Sequence, residues 1–186
     1  MKKHILDRYP RTSDGKFIID ITAGKVEDLY DDFDKHTPYA KKELDENLVN
    51  YIIDSTRDVG KAEFIIQFWF LTMPDDSLKE RISGSIHNYF LYLKEIELRE
   101  LMRNIRISLI FLIIGMAILF LSVWLNQQIT QEASMIYKVF AQGLTVAAWV
   151  SLWEALATFL VNWTPYTRQI KMYERIAQAP IAFPGT

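Results

Sequence analysis

Glu154 places a carboxylate inside an otherwise uncharged run, VFAQGLTVAAWVSLWEALATFLVNW, from Val139 to Trp163. On a helix it stands about nine residues, ~13 Å, from Trp163, close to the midplane of a bilayer. An acid held there is costly and has three readings: passing protons or ions, hydrogen-bonding across a helix contact, or a tolerated acid with no specific role. Asn162 is the second polar residue of interest in that run. Elsewhere Asp28, Asp31, Asp32 and Asp34 precede His36, a grouping that resembles a hard-cation site in composition. Its spacing lacks the central glycine and closing glutamate of a calcium loop, so a solvated acidic loop is the expectation and no metal is assigned. His4 and His87 are isolated, His87 with a surface or capping role. The chain has no cysteine, which excludes thiolate chemistry and disulfides. No P-loop, dinucleotide glycine pattern, nucleophile elbow or zincin helix is present. No catalytic residue and no cofactor are expected.

Two elements must position Glu154. The first apolar run, Ile107 to Leu125, reads ISLIFLIIGMAILFLSVWL, and the second is Val139 to Trp163. Each is long enough to cross a hydrocarbon layer of about 30 Å, and each is apolar on every face. They predict a two-helix transmembrane hairpin. Arg99, Arg103 and Arg106 precede the first run, and Arg168, Lys171 and Arg175 follow the second, while the connecting loop has few charges. By the positive-inside rule both termini are cytoplasmic. Trp124 and Tyr137 then mark the outer interface, Trp163 and Tyr166 the inner one. Small residues give two packing seams: Ser108, Gly115 and Ser122 at sevenfold spacing, and Gly143, Ala147, Ser151, Ala155, Thr158 and Asn162 at three to four. These seams predict contacts within the hairpin and a homo-oligomer. The opening MKKHILDRYPRTSDG has no apolar stretch, so insertion falls to the first span.

The remaining residues predict a small α+β domain. Lys16 to Ile21 reads as a strand ended by Ala23-Gly24, with a short second strand around Val26 to Tyr30. A helix is expected from Lys42 or Glu43 to Val59, stopped by Gly60. AEFIIQFWFLTM, apolar on both faces, reads as a central strand covered on both sides. Pro74-Asp75-Asp76-Ser77 supplies a stop and a cap. From there Ile82, Ile86, Tyr89, Phe90, Leu93, Ile96 and Leu101 keep a helical stripe with no break before the first span, which allows one helix of about 50 residues that holds the domain rigidly on its anchor. The sheet is expected to be antiparallel or mixed. After Pro165, TRQIKMYERIAQA reads as a short basic amphipathic helix, on the inner leaflet or against the domain.

The divisions are thus an irregular segment 1–15, a cytosolic domain 16–103, a hairpin 104–163 and a basic tail 164–186. The pieces RISLIFLIIGMAILFL, AWVSLWEALATFLVNWTP and RQIKMYERIAQAPI resemble a family of uncharacterised bacterial inner-membrane proteins. In the domain, DDFDKHTPYAKKELDENLVNYI and IHNYFLYLKEIELREL fit the same pattern. The resemblance implies an N-terminal α/β domain, two spans and a basic tail in the bacterial inner (plasma) membrane. Many members carry a basic residue and a proline where this chain has Glu154 and Ala155.

The net charge of −2 gives no field that would gather nucleic acid. The function expected is a non-enzymatic, membrane-anchored scaffold, sensor or regulatory subunit, with the lipid bilayer, further copies of itself and an unidentified cytosolic protein as partners. The alternative is a small oligomeric ion or proton pathway through Glu154. A surface enzyme would need converging polar groups in the first hundred residues.

Overall fold

The computed structural model describes residues 6–31, 37–127 and 135–184, the side chains of residues 40, 161 and 162 excepted. Two compact units emerge: Met1–Ile96 with Gln169–Thr186, and Glu97–Arg168.

The first unit is built on a three-stranded sheet in the order β1-β2-β3, with β1 at Phe17–Ala23, β2 at Phe64–Phe70 and β3 at Ile181–Ala182. The β-branched and aromatic runs FIIDITA and FIIQFWF form the two long strands, as their composition favours. Between them lies α1, Glu46–Val59. The Asp45 carboxylate caps it, accepting from the amides of Asn47 and Leu48 at 2.9 and 3.1 Å. Gly60, at φ 70°, ends it, a conformation that costs glycine nothing. Contrary to the antiparallel or mixed sheet expected, both pairings are parallel, Phe17 facing Phe64 and Ile66 facing Ile181. A helix that carries the chain back between two strands forces that arrangement. The expected strand at Val26 to Tyr30 is a 3-10 turn, Val26–Leu29, after which Tyr30 makes a single bridge to Leu44.

Two helices complete the chain. Asp75 starts α2, Asp76–Gln127, its carboxylate accepting from the Leu78 amide at 2.7 Å. This helix runs 52 residues without interruption. Its partner α3 is Met135–Ala177 and carries Pro165 in its interior. There a missing N–H removes one backbone bond, and two residues on, the Thr167 hydroxyl donates to the carbonyls of Trp163 and Thr164 at 3.0 Å each.

The basic tail is therefore the last turns of α3 plus β3. Tyr173, Ile176 and Ala177 are buried with Ile52, Ile66, Phe68, Ile82, Ile86 and Phe90. Arg175, expected as a topology charge, donates to the carbonyls of Gly60 and Ala62 and lies over the Phe64 ring. His87 meets the Ala177 carbonyl at 2.8 Å, at the C-terminus of α3, so it does cap a helix, though not its own. Lys94 pairs with Glu174 at 2.7 Å.

Among the described residues one face of the sheet is covered far more fully than the other. Residues 17, 19, 21, 64, 66, 68 and 70 are buried, whereas Ile18, Asp20, Ile65, Gln67 and Trp69 are half-buried and Thr22 is exposed. Both crossovers step the same way across the sheet, and right-handed connections of that kind put their helices on one side. β2 is central, as expected, without the second cover.

Ile176→Ala should lower the unfolding free energy by about 2–5 kcal/mol, read as a drop in the urea midpoint of the protein in lipid nanodiscs. A tail lying outside the core would leave that midpoint unchanged.

Candidate functional site

The second unit is the hairpin of α2 and α3. Ser108 and Ser122 on α2 are buried, and so are Ala141, Ala148 and Ala155 on α3. The alanines recur at seven residues, and Gly115 lies midway between the serines, seven from each. A Cβ at Gly115 would stand 3.1 Å from Leu152 Cδ2 and 3.2 Å from the Leu152 backbone nitrogen. Even an alanine there would have to push Leu152 back by a few tenths of an ångström, so glycine suits this close approach. Towards the far end the Ser122 and Thr145 hydroxyls share a hydrogen bond, Thr145 lies 3.1 Å from the Ala141 carbonyl, and Asn126 donates to the Ser122 carbonyl at 2.9 Å. Polar contacts of this sort join helices where hydrophobic attraction between them is weak.

On α2, Ser108, Gly115 and Ser122 are all buried. On α3 the face turned to α2 is not the small-residue seam as a whole. Ala155 belongs to it and Thr158 and Ser151 border it half-buried, but Gly143 and Ala147 are exposed. Nothing comes within 4 Å of a Cβ built at Gly143. An antiparallel partner with sevenfold spacing is matched by residues of sevenfold spacing, which Ala141, Ala148 and Ala155 supply. Thr145 and Asn126 were missed; a search for hydroxyls and amides four residues apart near the seam would have found them.

Glu154 lies on the exposed flank with Gly143 and Ala147, without a hydrogen bond or ion pair to any described residue. Asn162 is in α3, but its side chain lies outside the described residues. Trp149, Trp153, Leu156 and Leu160 are exposed. Of the flanking cations, Arg103 pairs with Glu100, while Arg106 and Arg168 are exposed. In the most apolar 18-residue window of α2 only 17% of the residues are buried, and in that of α3 12%. A core helix of the same hydropathy would be mostly buried.

Of the acidic grouping in the sheet domain, Asp28 and Asp31 lie among the described residues. Asp28 Oδ2 accepts from the Lys25 amide at 2.8 Å and fixes the turn after β1. Asp32, Asp34, His36 and His4 lie outside the described residues. Among the described residues no three metal-type ligands converge. A cleft of about 530 Å³ opens at the carboxyl end of β1, lined by residues that include Asp20, Thr22, Asp28, Asn47 and Tyr51. Parallel sheets bind ligands at this end, a place hidden from the sequence while the sheet was read as antiparallel or mixed. Asp20 there accepts from Trp69 Nε1 at 3.3 Å, and Tyr51 donates to the Asp20 carbonyl at 3.1 Å. Burial raises the Tyr30 and Tyr89 phenols above their ordinary range, so both act as neutral hydroxyls.

No protein family, no curated protein and no solved structure matches this chain.

Gly115→Leu should drive the helices apart at a cost of about 1–3 kcal/mol or more, seen as a lower unfolding temperature in nanodiscs. Gly143→Leu, made where space is open, should leave that temperature within a degree or so or raise it slightly, because leucine is the better helix former by roughly 0.8 kcal/mol.

Proposed function

We propose that this chain is a membrane-anchored, non-enzymatic domain whose hairpin crosses the inner membrane of a bacterial cell and whose sheet domain faces the cytoplasm. The exposed apolar surface of α2 and α3 carries this reading. At about 25 cal/mol per Å², two helices of that composition would not stay bare in water when burying them is so favourable. Hydrocarbon removes the cost.

The path of the chain supports the orientation. α2 leaves the sheet domain and α3 returns to it, so both meet the bilayer from the side on which the domain lies. Arg99, Arg103, Arg106 and Arg168 flank those near ends of the spans, which favours the cytoplasm for that side. Self-association is supported by the flank of Gly143, Ala147 and Glu154, which the chain itself leaves uncovered; a carboxylate at mid-span gains most from a partner. The half-open sheet face, with Ile18, Ile65 and Trp69, offers a surface for a cytosolic protein, which fits a scaffold, sensor or regulatory subunit.

The bare position of Glu154 also favours a second reading, an oligomeric ion or proton pathway. Glu154→Gln separates the two: a pathway loses flux in liposomes with its oligomer intact, whereas an anchored domain shows no flux in either form.

Because the chain has no cysteine, single cysteines report topology cleanly. A membrane-impermeant maleimide should label Gln127→Cys or Met135→Cys in intact cells and reach Thr22→Cys only after permeabilisation. The opposite pattern would reverse the orientation, and labelling of all three would remove the bilayer.

A further inference from the structure

The two edges of the sheet are unlike. On one side it ends in β3, two residues long. On the other it ends in β1, and the described chain closes only the first half of that edge. Phe17 turns its amide to the Glu63 carbonyl, beside β2, and Ile18 turns its own the opposite way, to the Pro10 carbonyl at 2.9 Å. This alternation sends the backbone groups of residues 18, 20 and 22 to the free edge. The Asp20 carbonyl there accepts from the Tyr51 hydroxyl at 3.1 Å. The amides of Asp20 and Thr22 and the carbonyl of Thr22 have no partner among the described residues. Edges of this kind are commonly blunted by lysine or proline, and neither occurs from Asp20 to Gly24.

The bare stretch is also one wall of the cleft of about 530 Å³. Residues 20–24 line it on one side, and Asn47, Leu48 and Tyr51 of α1 on the other. A groove between an edge strand and a helix is a setting in which an extended peptide adds itself to a sheet. The walls also say which side chains would fit. Asp20 and Asp28 bring two carboxylates, and no lysine or arginine lines the cleft. Asp20 lies on the less covered face of the sheet, held by Trp69, while Leu29 and Leu48 belong to the core on the covered face. Along an extended segment successive side chains point to opposite faces.

We infer that the free half of β1 takes an extended segment of a cytosolic protein as a further strand, its side chains alternately basic and apolar. The segment accepts from the Thr22 amide and donates to the Thr22 carbonyl. Its basic side chains lie beside Asp20, and its apolar ones turn towards Leu29 and Leu48. A small organic cation would meet the carboxylates and leave the strand edge unpaired. The inference rests on reading the sheet domain as a module that binds a cytosolic protein. No residue of the hairpin takes part, so its failure leaves the bilayer reading as it stands.

The full chain in phosphatidylcholine nanodiscs is titrated against a fluorescent peptide of alternating lysine and valine, read by anisotropy against empty nanodiscs. It should bind that peptide more tightly than one of alternating glutamate and valine. Methylating the backbone nitrogens of the lysines, or of the valines, gives two further peptides with unchanged side chains. In an added strand one set of amides faces β1 and the other faces away. One methylated peptide should therefore lose about tenfold in affinity, as the loss of a backbone hydrogen bond implies, and the other should keep it. Thr22→Pro removes the edge amide and spares the ladder to β2, a position where proline is tolerated; it should weaken the parent peptide by a similar factor. Asp20→Asn should narrow the preference for lysine over glutamate. The methylated peptides are read on the wild type, so the result does not hang on how any variant folds. No binding by the wild type, equal binding of the lysine and glutamate peptides, or equal binding of both methylated peptides would overturn the inference. Self-association lost in Thr22→Pro while no peptide binds the wild type would overturn it too, and give the edge to a second copy of this chain.

Discussion

The pairing of β3 with β2 is the constraint on which the rest of the molecule depends. Ile66 donates its amide to the Pro180 carbonyl at 3.0 Å, and Ile181 then runs parallel to it. Two parallel strands cannot be joined by a tight turn and need a crossover that returns the chain to the starting edge. In most βαβ units one short helix does this, as α1 does between β1 and β2. Between β2 and β3 the crossover is everything from Leu71 to Pro180, both long helices included. The apolar hairpin is thus inserted within the domain fold rather than appended to it. The domain is complete only when α3 has come back, because Tyr173, Ile176 and Ala177 fill its core and Arg175 closes the turn after α1.

That dependence gives a physical reason for the polar contacts at the foot of the hairpin. His87 at the Ala177 carbonyl, Lys94 at Glu174 and the Phe90 ring 6.3 Å from Tyr173 tie outgoing helix to returning helix inside the domain. Within the hairpin the tie is steric instead: glycine at 115, alanines opposite, and a hydroxyl cluster at Ser122 and Thr145. In the bilayer proposed for the hairpin, where apolar contact would gain little, close backbone approach and hydrogen bonds are the interactions left.

Much of the local structure was legible in the sequence. The strand at Phe64, the glycine stop at Gly60, the cap at Asp75 and the unbroken helix through Leu101 are written in composition and period, signals that belong to single elements. The parallel sheet was not legible, because it depends on where Ile181 and Ala182 dock, and two residues after a basic helix carry no strand signal. Arg175 looked like a topology charge because sequence cannot distinguish a cation facing lipid headgroups from one clamped on two carbonyls. The face of α3 that meets α2 lies about a quarter-turn from the small-residue seam, for a related reason. The small residues at 143, 147 and 151 and those at 141, 148 and 155 are equally good faces, and only the spacing on α2 chooses between them.

The central claim is that a hairpin set inside this sheet domain lies in lipid. Spin labels on single cysteines in vesicles test it most directly, by comparing collisions with oxygen, which concentrates in hydrocarbon, and with a water-soluble nickel complex. Labels at Met116 and Val150, both on exposed faces of the hairpin, should meet oxygen freely and nickel hardly at all, while a label at Thr22 should show the reverse. Nickel access at Met116 and Val150 equal to that at Thr22 would place the hairpin in water and contradict the account.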